Sequence, residues 1–190
     1  MSNSIIEEKL FKKIDFSDSS LTKDDYENCT FVNCIFSNTD LSNISFSECE
    51  FNGCDLSMAV MTKSTLRNVA FKGCKLLGLH FEYCNGLSFS VGFESCILNL
   101  SSFYKLSLKK TRFKNCSLEE VDFAECDLSS SIFDNCNLAK AKFERTILKK
   151  ADFRTSYNYS IDPERNRVTK AKFSMAGIVG LLDKYDIEVQ

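Results

Sequence analysis

From Phe93 to Phe153 every fifth residue is Phe or Leu, in strict alternation: Phe93, Leu98, Phe103, Leu108, Phe113, Leu118, Phe123, Leu128, Phe133, Leu138, Phe143, Leu148 and Phe153. A period of five matches neither the turn of an α-helix nor the alternation of a strand. These side chains share one environment only if the backbone bends sharply at each interval. Two positions before each of them the residue is nearly always small or β-branched, as at Cys96, Ser101, Thr111, Cys116, Val121, Cys126 and Ala151. The remaining positions are mostly Asp, Glu, Lys, Arg, Ser and Asn. Each unit therefore sends one large and one smaller side chain inward and leaves three residues to water. So short a unit cannot bury its own face, but stacked copies can, which predicts a solenoid.

The alternation also sets the number of units per coil. If like stacks on like, the count must be even, and four units of five residues is the smallest even count that encloses a core. Cys96, Cys116 and Cys136, spaced by twenty, agree. So, more softly, do the charges at Glu94, Lys114, Asp134 and Arg154 and at Lys105, Glu125 and Arg145, which alternate in sign at that spacing.

Three units, Cys126-Asp127-Leu128-Ser129-Ser130, Cys136-Asn137-Leu138-Ala139-Lys140 and Ala151-Asp152-Phe153-Arg154-Thr155, resemble the pentapeptide-repeat family. That family's motif is a small residue, Asp or Asn, Leu or Phe, and two polar residues. The resemblance implies an all-β fold, a right-handed quadrilateral β-helix. The expected β-helix has about seven coils, about 34 Å from end to end at about 4.8 Å per coil.

The same spacing runs from Phe11 through Phe16, Leu21, Tyr26, Phe31 and onward to Phe81. Phe81 and Phe93 are twelve apart, two units plus two residues, which places a phase break over 82–92. Gly86 and Gly92 fall there, and with Leu87 and Phe89 they mark a bulge or projecting loop as a candidate recognition element. Residues 1–10 are expected to cap the first coil, with the repeat domain spanning 11–173. A loop at 157–167, containing the only proline, Pro163, is expected to leave the coil. Beyond it, Ser174 can cap an α-helix running from Met175 to about Lys184 over the open end. Met175, Ile178, Val179, Leu182 and Tyr185 would share one side of it. Resemblance to the quinolone-resistance members adds a homodimer through this element, with Leu181 and Tyr185 exposed if the tail serves as more than a lid.

All ten cysteines sit at the small inward position, at intervals set by the repeat, with no CxxC pair and a single histidine, His80. This spacing argues for buried reduced thiols rather than disulfides or a metal site, and no cofactor is expected. His80 occupies an outward position without a patterned Ser, Cys or Asp partner. No catalytic motif stands in a context that would support it, so an enzyme is not expected. The net charge of −2 announces no nucleic-acid partner, and no apolar run is long enough to span a membrane. The first ten residues hold no apolar core of signal-peptide length, which points to the cytoplasm.

Charge is unevenly spread. Residues 1–60 carry eleven acidic and four basic side chains, a balance of −7, and residues 138–172 carry ten basic and four acidic, a balance of +6. Resemblance to the quinolone-resistance and microcin-immunity members implies a non-enzymatic, protein-binding role with DNA gyrase or a related topoisomerase as partner, through mimicry of the shape and charge of duplex DNA. The confinement of acidity to the first third departs from that pattern. A generic interaction scaffold, or nucleic-acid binding through the basic late coils, are the alternatives.

Overall fold

The computed structural model describes residues 4–187. Short parallel strands stack at an offset of twenty residues, with Ile5 against Asp25, Phe11 against Phe31 and Phe113 against Phe133. Ile5–Glu7, Asp25–Glu27, Ser45–Ser47 and Thr65–Arg67 form a four-stranded sheet on the first wall. Leu10–Lys12, Thr30–Val32, Glu50–Asn52, Val69–Lys72, Val91–Glu94, Arg112–Lys114 and Ile132–Asp134 form a seven-stranded sheet on the second. The third and fourth walls are ladders of single bridges, such as Asp15, Ile35, Asp55, Lys75, Ile97, Ser117, Asn137 and Tyr157 in succession. The chain is a parallel β-solenoid of four-walled coils.

The interior follows from the alternation. Phe11, Phe31, Phe51, Phe71, Phe93, Phe113, Phe133, Phe153 and Phe173 make one column, with successive ring centroids 4.6–5.5 Å apart and planes within 17°. Phe81, Phe103, Phe123 and Phe143 make a second on the opposite wall. The columns meet edge to face, as between Phe113 and Phe123 at 5.9 Å and 80°, an arrangement that suits the ring quadrupoles. Leu98, Leu108, Leu118, Leu128, Leu138 and Leu148 fill the other two walls and are fully buried.

All ten cysteines are free and buried. Cys34, Cys54, Cys74, Cys96, Cys116 and Cys136 stack in one file, and Cys54, Cys74 and Cys96 each donate a thiol hydrogen to the carbonyl of Phe31, Phe51 or Phe71 at 3.3 Å. The small inward residue thus helps to satisfy the backbone of the coil beneath it. Hydrogen bonding to Cys74, with burial, raises the Cys54 thiol above its ordinary range.

Two residues after each central side chain, most corners adopt a left-handed conformation, with φ near +50 to +64°. Asn28, Asn33, Asn38, Asn43, Asn115 and Asn135 suit this region, but Glu48, Lys63, Lys110 and Arg145 also occupy it. For residues with a Cβ other than Asn and Asp the left-handed region costs roughly 1–2 kcal/mol. Lys110, at φ 61°, is exposed. Lys110→Gly will therefore raise stability by about 0.5–1 kcal/mol, the relieved strain exceeding the added unfolded-state entropy. Denaturant titration checks this, and a loss of stability would show that the corner carries no strain.

Four expectations need correction. Residues 1–10 are not simply a cap: Ile5–Glu7 is already a paired strand, because Ile6 holds the central position five residues before Phe11 and packs against the core. The segment 157–167 does not leave the coil. Tyr157 pairs with Asn137 and Arg167 with Ile147, both at the regular offset of twenty, while Tyr159 and Ile161 turn into the core. The α-helical cap is a pair of 3-10 segments, Ala176–Leu181 and Asp183–Tyr185. The cause is close approach: a Cβ on Gly180 would lie 2.0 Å from the Tyr159 carbonyl oxygen, and Ile161 N–H donates to the Gly180 carbonyl at 2.8 Å. Finally, the 82–92 break needs no unusual glycine angles. Positive φ among glycines occurs at Gly53, Gly73 and Gly78, not at Gly86 or Gly92.

Candidate protein-docking surfaces

The extra residues of the phase break are taken up on the first wall. Asn85 N–H still donates to the Ser64 carbonyl at 2.7 Å, but Ser90 rather than Leu87 reaches back to Leu66. The intervening residues form a 3-10 turn, Gly86–Ser88, where a strand would have continued the first sheet. The second wall absorbs the shift by pairing Phe71 with Phe93, an offset of twenty-two. Leu87 stands at the tip, 98% exposed, while Phe89 returns to the core and meets Phe81 edge to face at 6.0 Å. Gly86 lies beneath the tip within reach of Leu106, and Gly92 sits inside a strand. Of the four loop candidates, Leu87 alone presents a large apolar side chain to solvent.

At the other end, Ser174 Oγ accepts from Gly177 N–H at 3.0 Å, so the expected capping serine acts as one. The tail divides in two. Leu181 packs against the core and Leu182 is half-buried, whereas Met175 (86%), Ile178, Val179 and Tyr185 are exposed. Tyr185 meets the expectation of exposure and Leu181 does not.

An ion cluster missed in the sequence pins this lid. Lys184 Nζ lies 2.8 Å from Asp162 Oδ1 and 2.7 Å from Glu164 Oε2, and the Tyr185 hydroxyl donates to Glu164 Oε1 at 3.1 Å. The sequence hides the pairing, because Pro163 between Asp162 and Glu164 points to a loop that leaves the coil. Hydrogen bonding to Lys184 holds both carboxyls below their ordinary values of 3.8 and 4.5. Depressed folded values mean that this contribution is complete above about pH 4.5 and is lost as pH falls through the folded values. The protection factor against hydrogen exchange of the Ile161 amide, which is bonded to Gly180, will fall below pH 4 and will lose that pH dependence in Lys184→Met. An unchanged profile in the variant would remove the cluster from any role in holding the lid.

Many charges along the coil are paired between neighbouring turns. Lys114 meets Glu94 at 2.6 Å, Arg145 meets Glu125 at 2.6 Å, Arg112 meets Asp134 at 3.0 Å and Arg165 meets Glu144 at 2.9 Å. The twenty-residue charge alternation is thus realised in part. Lys149, Lys150, Arg167 and Lys170 have no ion pair among the described residues and cluster toward the C-terminal end. The acidic side chains of the first coils do not form an unbroken stripe, since the third-wall ladder runs Asp15, Ile35, Asp55, Lys75. His80 is exposed, as expected, with Nδ1 2.9 Å from Glu82 Oε1 and its ring stacked on Tyr83. Among the described residues no group of His, Cys, Asp and Glu is arranged to hold a metal ion, and no helix is long and apolar enough to cross a membrane.

A parallel β-solenoid with a projecting loop, a lidded end and charge paired in part from coil to coil is a repeat scaffold that offers its walls as binding surfaces. The chain belongs to the pentapeptide-repeat family: the sequence profile of the pentapeptide repeat region matches residues 24–86 and 88–158, breaking at the exposed Leu87. Among solved structures it is similar to a trypsin-treated variant of QnrB1, a plasmid-mediated fluoroquinolone resistance protein. That comparison has a TM-score of 0.61 and 18% identity, over 100% of this chain and 92% of the other. Full-length QnrB1 gives a TM-score of 0.56 at 18% identity, over 97% of this chain and all of the other. No curated protein matches it by sequence.

Proposed function

We propose that the protein is a non-enzymatic, cytoplasmic binding scaffold whose partner is a type II topoisomerase, DNA gyrase in the first instance, and that it protects this enzyme from quinolone-type inhibitors. The observation that carries the reading is end-to-end correspondence of the coil with a fluoroquinolone resistance protein, combined with an exposed apolar loop tip at Leu87. Loops held on a rigid scaffold are where such proteins place recognition. The interrupted acidity of the walls disfavours contact by imitation of DNA charge alone and gives the loop the larger share. The late basic residues are paired only in part, as at Arg145 and Arg165; Lys149, Lys150, Arg167 and Lys170 are left without an ion pair among the described residues and support phosphate binding as the second reading.

Supercoiling by purified gyrase in the presence of a fluoroquinolone tests the proposal. The protein will restore supercoiling in a concentration-dependent manner, and Leu87→Asp will weaken the effect. No restoration at any concentration would sink the topoisomerase reading. We also propose a homodimer through Met175, Ile178, Val179 and Tyr185, with Leu181 and Leu182 supporting the lid from below. Sedimentation velocity will show a dimer that Ile178→Asp with Val179→Asp converts to monomer.

A further inference from the structure

The fourth wall breaks the rule that outward positions are polar. Over three consecutive coils it and its two corners expose Met58 (57%), Val60 (49%), Leu77, Tyr83, Leu100 (57%) and Tyr104. The corner file runs Met58, Gly78, Leu100, with φ values of +57°, +61° and +62°. A Cβ on Gly78 would lie 2.5 Å from Met58 Sδ, so glycine there both accepts the left-handed turn and lets Met58 lie flat across it. Six large apolar side chains are thus exposed on adjacent coils of this wall. Concentrations of this kind mark interaction sites on soluble proteins.

Along the wall the patch ends in carboxylates, whereas its corner toward the first wall carries Lys63, whose N–H donates to the Tyr83 carbonyl, and Lys105, which lies over the Tyr104 ring and meets Glu125 at 3.7 Å. Along the outward file of this wall the residues are Asp40, Val60, His80, Ser102 and Asp122, so carboxylates stand at both ends of the apolar stretch. At about 4.8 Å per coil these two lie about 19 Å apart. Glu82 lies within the stretch, with Oε1 on His80 and Oε2 buried without a hydrogen-bond partner among the described residues. Asp122 accepts from Ala124 N–H and has no ion pair among the described residues. Glu120 borders the same groove, met by Lys140 at 3.6 Å, and Lys140 and Lys142 lie one coil beyond the acidic rim. Asp40 is paired only with the exposed Lys23.

We infer that this wall docks a segment of a partner protein whose apolar side chains are bracketed by lysine or arginine. The apolar side chains would cover Met58, Val60, Leu100 and Tyr104, and the flanking cations would meet Asp40 at one end and Asp122 at the other. The inference rests on the protein-binding reading but not on its topoisomerase version, because Met58, Val60, Leu100 and Tyr104 lie on the fourth wall and its corners, apart from the Leu87 tip on the first wall and from the C-terminal lid.

Selection from a random peptide library on the intact protein tests it, followed by fluorescence anisotropy of the selected peptides. Peptides combining Leu, Met or Phe with Lys or Arg are expected. Their affinity will fall at least about tenfold for Val60→Glu with Leu100→Glu, and about threefold to tenfold for Asp122→Asn. All three positions are on the surface, so an unchanged circular dichroism spectrum will confirm that the variants fold. Selected peptides that are acidic, or that bind the double variant as tightly as the parent, would overturn the inference. So would a parent dimer abolished by the double variant, which would make a second copy the occupant. Gyrase protection in the double variant separates the two proposals: protection retained with peptide binding lost leaves both standing, and protection absent from the parent removes only the topoisomerase reading.

Discussion

Replacing Phe113 with alanine will lower the unfolding free energy by about 3–5 kcal/mol, the cost of removing a large aromatic side chain from a packed interior. Its ring is fully buried, stacked between Phe93 and Phe133, and touched edge-on by Phe103 and Phe123. The void cannot close easily, because every neighbour is itself locked into a column. In a solenoid each coil is held chiefly by the coils above and below it, so a defect in the middle weakens two interfaces at once. Phe89→Ala makes the comparison: this ring is only partly buried at the phase break, and the loss should be about 1 kcal/mol. Denaturant unfolding measures both. Equal small losses would mean that the phenylalanine columns are not the source of stability.

The second large effect is chemical. Native protein will show none of its ten thiols to a soluble thiol reagent at pH 8 within the time that full denaturation exposes all ten. Burial raises Cys49 to about 11 and Cys84 and Cys126 to about 12. A thiol shifted from 9.0 to about 12 has about a thousandfold less thiolate, the reactive form, before access is considered. The sign for stability follows. These groups have folded values above the unfolded one, so their contribution is complete below pH 9 and is lost as pH rises toward 12. Stability will therefore decline above pH 9, and serine at Cys84 and Cys126 will flatten the decline. Rapid labelling of several cysteines in the native state would contradict a closed core.

Much of the architecture was legible because the pattern is periodic and local. The phase of Phe and Leu placed nearly every inward side chain, and the parity of their alternation set four units per coil before any contact was known. The apolar wall was also partly legible, since Met58, Val60, Leu77 and Leu100 sit at positions where the repeat demands polar residues. The lid was not. Gly177 and Gly180 mark close approach only once Tyr159 is known to lie against them, and Lys184 finds Asp162 only if residues 157–167 stay within the stack.

The five-residue spacing by itself determined that this chain coils, which side chains turn inward and which residues lie twenty apart in neighbouring turns. Tertiary structure alone decided where the two extra residues went, ending the first sheet and lifting Leu87 clear, and which tail residues were buried. The reason is one of range. A repeat prescribes each coil from its own residues, whereas an interruption is resolved by what the coil beneath it offers to bond and to cover.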